Sequence, residues 1–69
     1  MNPEEKVRAA IRLQNDPLFI TMLDELRMDA YREWSTSAPQ DDETRAVAYH
    51  KHTALIQLQM DVQNLAAKA

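Results

Sequence analysis

No glycine occurs anywhere in this chain of 69 residues, and that absence constrains the fold more than any residue present does. Tight β-hairpins of types I′ and II′ need backbone at positive φ, which glycine reaches without strain. Ala, Leu, Gln, Glu, Arg and Met make up much of the sequence, and all are good helix formers. The composition therefore predicts an all-α protein. Cysteine is also absent, so no disulfide can help. A chain this short buries only about 60% of its unfolded surface and needs another source of stability. Unusually close helix packing and oligomerisation are the two that remain.

The stretch Trp34–Arg45, WSTSAPQDDETR, divides two long apolar-periodic segments. On its N-terminal side, Asn15-Asp16-Pro17 stops one helix and starts another. The residue before a proline avoids the α region, Asp16 suits the cap, and Pro17 suits the first helical position. Asn2-Pro3-Glu4-Glu5 repeats that grammar at the chain start, with Glu5 placed to close a capping box. Asp41 is the expected cap of the last helix, followed by Asp42 and Glu43 where the helix dipole favours acids. The chain thus reads as a single helical domain over 1–69, with helices at about 3–14, 17–35 and 42–66. The short second connection makes the last two helices antiparallel neighbours, a hairpin with a short additional N-terminal helix.

Apolar spacing assigns the faces. In helix 1, Val7, Ala10, Ile11 and Leu13 form a short apolar edge, and Glu4 sits one turn before Arg8 in the favourable order for an ion pair. In helix 2, Leu18, Phe19, Met22, Leu23, Leu26, Ala30 and Trp34 fill one stripe, with Ile20 and Tyr31 off its edge. In helix 3, Ala48, His52, Leu55, Leu58, Val62 and Leu65 make a near-heptad seam suited to shallow antiparallel packing. A second edge on that helix, Tyr49, Ile56 and Met60, needs a second neighbour, either helix 1 or another copy. Arg45 lies one turn after Asp41, within reach of a local pair.

The residues that could carry chemistry have structural explanations close at hand. His50 and His52 lie about 200° apart on a helix, so one metal ion cannot take both, and His52 falls on the packing seam. Asp41-Asp42-Glu43 matches a helix start better than a metal loop. Ser35, Thr36 and Ser37 have no base beside them, and a nucleophile elbow needs glycines. No catalytic, cofactor or metal residue is therefore predicted, and the chain is read as a non-enzyme. A net charge of −3 disfavours a nucleic-acid partner, whose grip rests on neutralising phosphates. No apolar run is long enough to span a bilayer, and MNPEEKVR lacks the basic and apolar regions of a signal peptide. A soluble protein made in a cytoplasm is the expectation, without a membrane.

Asp16-Pro17-Leu18-Phe19, Leu23 and Leu26, Trp34 and Thr36, Pro39 and Asp41, Arg45, and Ala54-Leu55 follow one another in an order that carries a resemblance. Over Asp16–Leu65 the chain resembles small helical-hairpin proteins encoded among the head and packaging genes of tailed bacteriophages and prophages. That resemblance implies a helical hairpin and a part in virion assembly, and transfers no catalytic residue. The expectation is a structural or protein-interaction protein that packs against itself as a homo-oligomer, or against a larger phage protein. Its expected interaction surface is Ile20, Tyr31, Trp34, Tyr49, Ile56 and Met60. The alternative is a small acidic regulatory binder: an inhibitor of a host protein, an antitoxin-like protein, or a nucleic-acid mimic presenting Asp24, Glu25, Asp29 and Glu33, a run that Arg27 and Arg32 interrupt.

Overall fold

A computed structural model describes residues 1–69 and contains three helices: α1 (Pro3–Gln14), α2 (Pro17–Thr36) and α3 (Asp42–Ala66). The helix starts follow the capping residues. Asn2 Oδ1 accepts from the Glu5 backbone N–H at 2.8 Å, and the reciprocal bond runs from Asn2 Nδ2 to Glu5 Oε1 at 3.1 Å. The box thus closes through the asparagine side-chain amide, where a standard capping box uses the cap's backbone N–H. Asp16 Oδ1 accepts from the backbone N–H groups of Leu18 and Phe19, and Asp41 Oδ1 from that of Thr44.

The helix ends show what replaces glycine. No residue adopts positive φ, so no left-handed cap is available to collect the orphan carbonyls. At the end of α2 the hydroxyls of Ser35 and Thr36 both donate to the Arg32 carbonyl, and the Ser37 hydroxyl donates to that of Trp34 at 2.6 Å. At the end of α1 the Asn15 side-chain amide donates to the Ile11 carbonyl at 2.8 Å. The Ser-Thr-Ser cluster is helix-end chemistry.

α3 is the spine. Arg27 Nη1 donates to Gln59 Oε1 at 3.2 Å, and Lys51 Nζ meets Glu33 Oε2 at 3.1 Å. Later positions on α2 thus face earlier ones on α3, which is antiparallel packing. α1 packs on the C-terminal half of α3, where Ala10 lies with Val62 and Ala66, and scarcely touches α2. Helix 1 is therefore docked on α3.

The interior is made of small side chains. The buried residues are Ala10, Leu23, Ala30, Ala48, Val62 and Ala66, and four of these six are alanines. Alanine lets two helix backbones approach closely, yet its lone methyl removes little area from water. The larger apolar residues flank the contact lines and remain partly in solvent. The result is elongated, 47 × 20 × 17 Å.

Two expected ion pairs do not form. Glu4 and Arg8 are both exposed and unpaired, because about 0.3 kcal/mol is too little to hold two long side chains together. Arg45 turns away from Asp41: its guanidinium stacks 4.5 Å from the centre of the Trp34 ring, and its Nη1 donates to Ser37 Oγ. The ring face and the hydroxyl together outcompete a screened carboxylate.

Candidate functional site

Two apolar concavities flank the hairpin, one at each end. The first lies beside the turn, where Ala30, Tyr31 and Trp34 of α2 face Ala48, Tyr49 and His52 of α3 around about 180 Å³. Its floor is alanine and its walls are aromatic. The Tyr31 and Trp34 rings sit 6.2 Å apart, and Tyr49 meets His50 edge-on at 5.8 Å. Trp34 is 41% exposed, but its own chain already occupies one face through Arg45. His52 is half-buried in this wall, while His50 is exposed.

Of the six residues expected to form one interaction surface, this cleft unites Tyr31, Trp34 and Tyr49. The other three lie elsewhere. Ile20 borders a smaller cleft with Gln59 and Gln63 near the α1–α2 junction, away from Tyr31. Ile56 is half-buried and Met60 exposed on α3, and neither lines the aromatic cleft.

The second concavity combines residues of all three helices, which no single helical period relates. Leu13 of α1, Leu18, Met22 and Leu26 of α2, and Leu55 and Leu58 of α3 line an open groove of about 360 Å³. Through Leu26 and Leu55 it continues into a second hollow of about 390 Å³ that ends at Asp29, Glu33 and Lys51. Spacing places all of these α2 residues on one stripe. That stripe is in fact two edges. Leu23 and Ala30 are buried against α3, whereas Leu18, Met22 and Leu26, on the adjoining edge, are exposed. The signal was present in the adjacent pairs Leu18-Phe19 and Met22-Leu23, one turn apart, which make the apolar arc wider than one neighbour can cover.

Electrostatics along α2 are largely internal. Asp24 faces Arg27 at 3.9 Å, Asp29 faces Arg32 at 3.2 Å, and Glu33 pairs with Lys51. Glu25 alone of the four acids has no cation beside it, so α2 presents no bare anionic row. Asp41 caps the start of α3. Hydrogen bonds from the Thr44 side chain and backbone hold its carboxyl below the usual carboxylate range. No group of three or more His, Cys, Asp or Glu side chains is placed to hold a metal ion. No helix is long and apolar enough to cross a membrane.

The class this geometry defines is an all-α three-helix protein with an open aliphatic groove along one face. Comparison with protein-family models, with curated proteins and with solved structures found no match to the chain.

Proposed function

We propose that this chain is a non-enzymatic interaction protein that works by helix–helix packing, with itself or with a larger partner. The observation that carries this reading is the open groove of Leu13, Leu18, Met22, Leu26, Leu55 and Leu58. Exposed apolar side chains scattered singly are ordinary, but a contiguous aliphatic patch on a small protein marks a surface for contact. The polar groups support the same reading. The Ser35, Thr36 and Ser37 hydroxyls and the Asp16 and Asp41 carboxylates are engaged at helix ends, which makes them parts of the scaffold. The resemblance over Asp16–Leu65 adds a setting: assembly of a tailed-phage particle, in the host cytoplasm or the virion. The charge-mimic alternative loses support, because three of its four acids are paired within the chain.

The test is molar mass by light scattering on a sizing column, across a concentration series, alone and after mixing with extract from phage-producing bacteria. A mass above 8.0 kDa in either arm is expected. A species that stays at 8.0 kDa in both arms and retains no specific partner would overturn the reading.

A further inference from the structure

We propose that the occupant of the aliphatic groove is a second copy of this chain, packed about a two-fold axis close to Met22. The Leu18–Met22–Leu26 ridge of each copy lies in the groove of the other. This rests on the interaction reading above and assigns it a face and a partner.

Area is the first argument. The chain exposes 5297 Å². A compact monomer of its 8.0 kDa exposes about 4450 Å². The excess of about 850 Å² is close to the roughly 800 Å² that each partner loses in a standard interface. The radius of gyration agrees: 15.1 Å, against about 11 Å for a compact chain of this length. A second copy laid along one face would bring the proportions closer to those of a compact body.

Shape is the second. Leu18, Met22 and Leu26 repeat every four residues, and ridges of that spacing interdigitate with identical ridges at a crossing angle of about −50°. A two-fold interface requires a patch complementary to itself, and a ridge bordering a groove of matching side chains has that property. Met22 stands at its centre, 51% exposed, with a flexible side chain that adapts to an identical neighbour.

Charge is the third. The only ionisable group lining the main groove is Asp16, whose carboxylate already caps α2. The centre therefore offers a charged partner nothing to match, and an identical copy brings no unpaired charge into it. The continuation of the groove ends at Asp29 and Glu33 of α2 and Lys51 of α3, a polar boundary that sets the edge of the patch. This face is not the Tyr49–Ile56–Met60 and Ile20–Tyr31 edges expected from periodicity. Tyr31 is nine residues from Met22, which at about 100° per residue places it on the opposite side of α2.

The chain has no cysteine, so a single introduced thiol reports on one place. Under mild oxidation M22C is expected to form an intermolecular disulfide, since residues at a two-fold axis bring their Cα atoms within about 7 Å, while Y31C stays monomeric. Light scattering is expected to show a dimer for the wild type. L18E and M22E should each raise its dissociation constant at least about tenfold, with helical circular dichroism unchanged because both side chains are exposed in the single chain. Should M22E lose its helical signal, the M22C crosslink decides. A wild-type dimer that survives M22E, or that crosslinks through Y31C and not M22C, overturns this assignment while leaving the interaction reading intact. A monomer at every concentration also overturns it, and the mixed-extract arm then judges the broader reading separately.

Discussion

The seam between the helices and the ridge beside it invert the usual distribution of side chains. The seam is alanine: Ala30 and Ala48 at the turn end, Ala10 and Ala66 where α1 docks. The ridge is Leu18, Met22 and Leu26, large, aliphatic and in solvent. Both belong to the same amphipathic pattern, in which transfer free energy alone would favour burying the ridge residues over the alanines. Geometry decides it. Where two helices come closest, only a small residue fits, and its wide neighbours are pushed to the flanks. The seam thus fixes distance and register while contributing little area, and the ridge holds the area that a single chain leaves unused. Close approach and hydrophobic burial are carried by different residues.

The largest expected effect comes from breaking the seam. Ala48 is 0% exposed and sits opposite Ala30 across the hairpin. Replacing it with leucine must push α2 from α3 and pull Trp34 away from its floor. Overpacking of this kind costs about 1–3 kcal/mol. On a domain of this length total stability is roughly 3–10 kcal/mol, so the loss is a large fraction. Urea unfolding of A48L is expected to show a markedly lower midpoint. An unchanged midpoint would mean the seam is not closely packed.

The matching change on the ridge is expected to do much less. Removal of a buried methionine costs about 2–5 kcal/mol, but Met22 is half in solvent, so M22A in dilute solution should stay within about 1 kcal/mol of the wild type. The contrast sharpens with concentration. If copies associate through the ridge, wild-type stability rises as protein is added, because association favours the folded state, and M22A loses that dependence. Thermal unfolding at two widely separated concentrations checks both points.

How much of this was legible in the sequence depended on whether the signal was local. Helix starts were legible at Asn2, Asp16 and Asp41, because a cap is a contact between a side chain and a backbone group two or three residues on. The hairpin followed from its short connection. Arg45 was misplaced because its preference for Trp34 and Ser37 depends on the turn folding back, which no local rule contains. The groove was missed because a period of 3.6 gives the direction of an apolar face and not the width its neighbour can cover. Leu18 and Leu23 look alike in such a pattern, yet one is 66% exposed and the other buried. Of the expected interaction surface, Tyr31, Trp34 and Tyr49 come together because residues of two helices that flank a turn meet whatever the finer packing, whereas Ile20, Ile56 and Met60 depend on that packing.

The smallest effect concerns Asp41, two turns before Ala48 at the start of the spine. Its carboxyl is held below its usual 3.8 by the hydrogen bonds from Thr44, so the folded chain binds this proton less readily than the unfolded chain. The sign follows. The stabilisation is present in full above about 3.8, and is lost as pH falls through the lower folded value. Asn caps a helix about as well as Asp but does not titrate, so D41N should differ little from the wild type at neutral pH and lose less stability on acidification. Comparing the two chains at each pH cancels the other carboxylates. The readout also tests the comparison between seam and ridge. If the difference appears in the global urea midpoint, the cap of α3 and the alanine seam unfold as one unit. If it appears only as faster amide exchange in the first turn of α3, the seam holds without its cap, and the close approach at Ala48 is the stronger of the two constraints.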